Sequence, residues 1–90
     1  MTRPAPSRAD DVATLLAGLA SAARAIRARE RLTQAEVARR GGLGKHYPGM
    51  IEQARANPTM TQIGQLARGL GLRSVEELLH EAVAAARERP

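Results

Sequence analysis

Apolar positions recur at helical spacing along most of the chain. Val12, Leu15, Leu16, Leu19, Ala22, Ala23 and Ile26 return every three or four residues and predict a helix over about 11–31. Asp10 and Asp11 offer that helix an N-cap and a favourable negative charge in its first turn. Gly18 is its weak point, where it could divide in two. Ahead of it, residues 1–9 hold Pro4, Pro6, Arg3 and Arg8 and no apolar period, and they read as a disordered arm. Residues 10–90 then read as one domain.

Three later helix starts carry a local signature. Thr33 and Glu36, Thr59 and Gln62, and Ser74 and Glu77 each set a hydroxyl three residues before a carboxylate or amide. That spacing lets the two side chains satisfy N–H groups exposed at a helix start. Each pair stands just before an apolar period. The first of these helices ends near Arg40, before Gly41-Gly42. The second ends near Leu70, before Gly71, and the last runs from Val75 towards Arg87. A further helix is predicted over Lys45 to Gln53. Five helices and no strand pattern make the fold all-α.

Composition narrows the function. Ninety residues without cysteine have no disulfide to brace them, which suits a reducing cytoplasm. No apolar run reaches the roughly 18–20 residues that span a bilayer, and the first residues lack a signal-peptide core. The single aromatic is Tyr47, so the core is built from aliphatic residues and alanine. The net charge of +5 points to an acidic polymer as partner. Its distribution is uneven: residues 1–58 carry ten bases against five acids, whereas 59–90 carry four against four. Catalysis is not expected, because no nucleophile, base and orienting group come together. No cofactor or metal is expected either. His46 and His80 lack a third ligand at useful spacing, and His80 with Glu81 reads as a solvated helix face.

The central stretch Leu32-Thr33-Gln34-Ala35-Glu36-Val37-Ala38-Arg39-Arg40-Gly41-Gly42-Leu43 sets a short capped helix before a glycine turn. Ala38 permits a close helix crossing, Gly42 permits positive φ, and Val37, Leu43 and Ile51 supply apolar contacts. This is a helix-turn-helix over about 33–53. The chain here resembles the Cro/phage-repressor, or Xre, family of regulators over about residues 19–79. The anchors are Ile26-Arg27, residues 32–38, Gly42, Ile51-Glu52, Asn57-Pro58-Thr59, Leu66-Ala67 with Leu70-Gly71-Leu72, and residues 74–79.

The resemblance implies a compact bundle of five helices that binds double-stranded DNA operators as a dimer. It assigns base reading in the major groove to Lys45, His46, Gly49 and Met50. Lys45 is suited to donate to guanine, and His46 to donate or accept. Phosphate contacts are implied at Gln34, where the second helix begins, and at Gln53 and Arg55, after the third. Tyr47 reads as packing or a further phosphate contact. Arg27 and Glu52 match a family pair that ties the first helix to the third, and they are expected to form a structural ion pair.

The chain departs from the family in its third helix. Gly44 stands where a hydroxyl cap is common. Pro48 stands where a branched aliphatic is usual, Gly49 follows it, and Ala54 replaces a helix-ending glycine. If the helix starts at Gly44, Pro48 forfeits its first hydrogen bond. If it starts at Pro48, Lys45 and His46 lie in a loop. Apolar stripes on the first and last helices extend beyond the family core. Val12, Leu15, Leu16 and Leu19, with Leu78, Leu79, Ala82, Val83 and Ala86, serve either the core or a homodimer seam. The expectation is a cytoplasmic, nucleoid-associated transcriptional regulator, a repressor. The alternatives are an antitoxin-like DNA-binding protein that masks a protein partner, and a protein-interaction module that has lost DNA binding.

Overall fold

The computed structural model describes residues 8–88, and they form five α-helices. These are α1 (Arg8–Arg29), α2 (Gln34–Gly41), α3 (Tyr47–Glu52), α4 (Met60–Gly69) and α5 (Val75–Arg87). The expected arm over 1–9 lies outside the described residues, except that Arg8 and Ala9 already belong to α1. Asp10 and Asp11 therefore sit within the first turn of α1, not at the position before the helix.

The capping boxes act as the spacing requires. Thr33 Oγ1 accepts from Glu36 N (3.0 Å) while Thr33 N donates to Glu36 Oε1 (3.0 Å). Thr59 and Gln62 exchange the same two bonds at 3.1 and 2.9 Å. At α5, Ser74 Oγ accepts from Glu77 N at 3.4 Å, the hydroxyl half of the box.

Gly18 does not break α1. A Cβ there would fall on the Ala82 carbonyl oxygen, so the glycine lets α1 and α5 approach backbone to backbone. Gly69 meets the Val37 carbonyl and Gly41 the Gln65 carbonyl in the same way, which presses α2 against α4. Around these contacts lies one core, with Leu19, Ala23 and Ile26 of α1, Val37 of α2, Ile51 of α3, Ile63, Leu66 and Leu70 around α4, and Leu78 and Ala82 of α5. The apolar stripes of α1 and α5 divide between the two expected roles. Leu19, Leu78 and Ala82 are buried inside the monomer, whereas Val12, Leu15 and Val83 are exposed.

Helices α1 to α4 end alike. Beyond each, one residue takes positive φ: Arg31 (56°), Gly42 (70°), Ala54 (56°) and Gly71 (81°). The N–H of the following residue reaches back to a carbonyl five residues earlier: Leu32 to Arg27, Leu43 to Ala38, Arg55 to Met50, and Leu72 to Ala67, all at 2.8–3.0 Å. This is the Schellman arrangement, which usually carries an apolar contact at its last residue. Leu32, Leu43 and Leu72 make that contact by packing on the core. Arg55, at the equivalent place after α3, is exposed.

Candidate nucleic-acid interface

The third helix is shorter than the sequence suggests. It begins at Tyr47, with His46 in the cap position and Pro48 as its second residue, and its first backbone bond runs from Met50 N to His46 O (3.2 Å). Proline here costs no hydrogen bond, because its N–H would lie among the unpaired groups of the first turn. Lys45 and His46 are thus not on α3. They are exposed on the turn that leads into it, closed by Tyr47 N donating to Gly44 O (3.0 Å).

Within α3, Pro48, Gly49, Ile51 and Glu52 are buried and Tyr47 is half-buried. Met50 alone is exposed, at 43%. The outward position expected for Gly49 is corrected. It faces α2, where a Cβ would stand 3.1 Å from Gln34 Oε1. The Gln34 amide, at the first residue of α2, therefore lies over Gly49. The start of α2 and the exposed edge of α3 share one surface.

Glu52, 7% exposed, is the buried charged residue among those described. Arg27 answers it with two parallel bonds, Nε to Oε2 (2.8 Å) and Nη2 to Oε1 (3.0 Å), and Nη1 donates to the Leu32 carbonyl (3.0 Å). The bond to Glu52, opposed in part by burial, raises the pKa of Arg27, whose guanidinium is charged in any case. One fork thus joins α1, α3 and the turn after α1, and it fixes the orientation of α3. Tyr47 has a similar task. Its hydroxyl donates to Gln62 Oε1 (2.8 Å), the same oxygen that caps α4. The proton expected for a phosphate contact is thereby engaged inside the protein.

Gln53 and Arg55 follow α3, both exposed. The sequence reading missed the second basic feature. Arg39, Arg40 and Arg68 line a groove of about 630 Å³ between the end of α2 and α4, with Thr61 and Gln65. Its signal was available in the Arg39-Arg40 pair, but Arg68 joins it only through the α2–α4 packing. Among the described residues, no group of three metal-capable side chains occurs, and no helix is long and apolar enough to cross a membrane.

The model of the helix-turn-helix domain family matches residues 18–81 of this chain. The chain belongs to that family. The match spans all of α2, α3 and α4, the second half of α1 and the first half of α5. An uncharacterized HTH-type transcriptional regulator of Sinorhizobium fredii, y4dJ, is 39% identical over 51 residues, covering 57% of this chain and 66% of that protein. The crystal structure of the clp gene regulator ClgR from Corynebacterium glutamicum superposes with a TM-score of 0.72 at 25% identity, covering 93% of this chain and 81% of ClgR. The hypothetical transcription factor NHTF from Neisseria gives a TM-score of 0.66 at 34% identity, covering 87% of this chain and 86% of its own. The five-helix reading of the sequence agrees with the five helices of this structure.

Proposed function

We propose that this helix-turn-helix protein, a DNA-binding transcriptional regulator, lays the shared surface of α2 and α3 on duplex DNA. Met50 enters the major groove, with Lys45 and His46 on the turn beside it. Gln34, Gln53 and Arg55 hold the flanking phosphates, and Tyr47 supports the surface from behind. The protein acts as a repressor of the Cro/phage-repressor type, a homodimer in the cytoplasm at the nucleoid. Its partner is the duplex, and the two protomers read half-sites about one helical turn apart.

The observation that carries this reading is Arg55. Three of the four like helix ends finish on a leucine that packs inward, and the one beside the recognition helix finishes on an exposed arginine. An arginine there forgoes an apolar contact and has a reason to be present if it meets an anion.

Fluorescence anisotropy on duplex DNA at several salt concentrations tests the docking. Arg55→Ala is expected to weaken binding to every sequence alike and to reduce the slope of log affinity against log salt by about 0.9. Gln34→Ala is expected to weaken binding with little change in slope. Unchanged binding in both variants refutes the docking.

An antitoxin-like role draws support from one observation, the exposed apolar residues Val12, Leu15 and Val83 beyond the core. A protein that co-purifies stoichiometrically and is released by a charge at Val83 would favour it.

A further inference from the structure

We propose that Met50 is the specificity-determining residue of the interface and that it reads the C5-methyl group of a thymine. The inference rests on the DNA-docking reading above and adds to it the chemistry of the contact. Four of the six residues of α3 are buried, and Tyr47 is half-buried with its hydroxyl engaged by Gln62. Met50 is the one side chain that the helix offers to a groove. Its thioether donates no hydrogen bond and accepts only weakly.

Base edges in the major groove are acceptors and donors, with one large apolar feature, the thymine methyl. Setting a methionine against guanine, adenine or the cytosine amino group would strip water from polar atoms and return no bond. Setting it against the methyl buries apolar surface on both sides. The position is held firmly. Ile51 and Glu52, next in the chain, are buried, Glu52 is gripped by Arg27, and Gln34 lies over Gly49. The methionine tip can therefore be presented at a fixed depth while its own rotamers adapt to the methyl.

The expected readout is shallow. A single buried methyl contributes about a fourfold preference per half-site. Lys45 and His46, standing off the helix on an exposed turn, add charge and hydrogen bonds that depend less on sequence.

The experiment begins with selection of bound duplexes from a random pool by the full-length protein. Each thymine of the enriched site is then replaced by deoxyuridine, which removes only the methyl. Wild-type protein is expected to lose about fourfold in affinity at one position of each half-site and to be indifferent elsewhere. Met50→Ala is expected to bind the thymine site more weakly and to bind thymine and deoxyuridine sites equally. Met50→Leu is expected to restore the sensitivity. Met50 is 43% exposed and lies outside the core, so the three proteins should unfold within a few degrees of one another. Enrichment of duplexes with no deoxyuridine effect, or with the same effect in Met50→Ala, overturns the proposal and leaves the docking intact. A protein that enriches no duplex and shows no salt-dependent binding overturns both.

Discussion

Ala54 holds a backbone conformation that glycine adopts freely and alanine does not. Its φ of 56° places it in the left-handed region, at the point where α3 turns towards Arg55. A non-glycine residue there costs about 1–2 kcal/mol, and glycine returns part of that gain through a more flexible unfolded chain. Ala54→Gly is therefore expected to stabilise the protein by about 0.5–1 kcal/mol, a rise in Tm of a few degrees for a domain of this size. Thermal unfolding followed by circular dichroism measures it, and an unchanged or lowered Tm contradicts the strain. The sequence showed half of this: alanine stands where the family has glycine. Only the backbone angle shows that the position does need positive φ. Gly49 is the opposite case. Its placement depends on where the Gln34 side chain comes to rest, a long-range fact with no trace in local spacing. A glycine expected to face DNA proves to be the floor on which Gln34 lies.

At the scale of helices, legibility follows the range of the forces that set each boundary. The starts of α2, α4 and α5 are fixed by side chains three residues apart, so the sequence displays them. The start of α3 is fixed from a distance, by the bond from Tyr47 to Gln62 and by burial of Pro48 and Gly49, and local rules leave it open. The close crossings at Gly18, Gly41 and Gly69 are likewise invisible until the helices meet. The start of α2 also carries a pH dependence. The Glu36 carboxylate accepts from the Thr33 backbone N–H and lies below its ordinary pKa, chiefly because of that bond, then of the Thr33 side chain, with Arg39 and Arg40 contributing less. A lowered folded-state pKa means stability that is present above the unfolded value and is lost as pH falls through the folded one. Glu36→Gln keeps an acceptor for Thr33 N but has no charge to lose. Urea unfolding at neutral pH and near pH 3 should show the wild type losing more stability on acidification than the variant. Equal losses contradict the linkage.

For the molecule as a whole, the question is what covers the outer ends of α1 and α5. The two helices bury their inner faces on each other, and the remainder of the stripe, Val12, Leu15 and Val83, faces solvent. Leu15 also joins Leu16, Pro58 and Leu79 in lining an apolar recess of about 210 Å³. Scattered apolar residues on a surface are ordinary, but Val12 and Leu15 line this recess, and Leu15 and Val83 line a second one that shares Leu15 with it. A second copy of the chain in the proposed dimer accounts for them. Small domains bury a low fraction of their surface, so covering an exposed apolar patch by association adds to a modest stability. Such a dimer has a Tm that rises with protein concentration, because the folded state is the one that associates. Val12→Asp combined with Val83→Asp alters exposed positions and leaves the core intact. The pair is expected to fold, to sediment near the monomer mass of 9.6 kDa, and to unfold at a temperature independent of concentration. On DNA it should lose the dependence on half-site spacing that a symmetric dimer imposes. In the wild type, inserting five base pairs between half-sites turns one site to the opposite side of the duplex and should weaken binding sharply. In the paired variant the same insertion should have little effect. A wild type that sediments as a monomer at tens of micromolar, or that tolerates the insertion, places the dimer seam elsewhere or removes it.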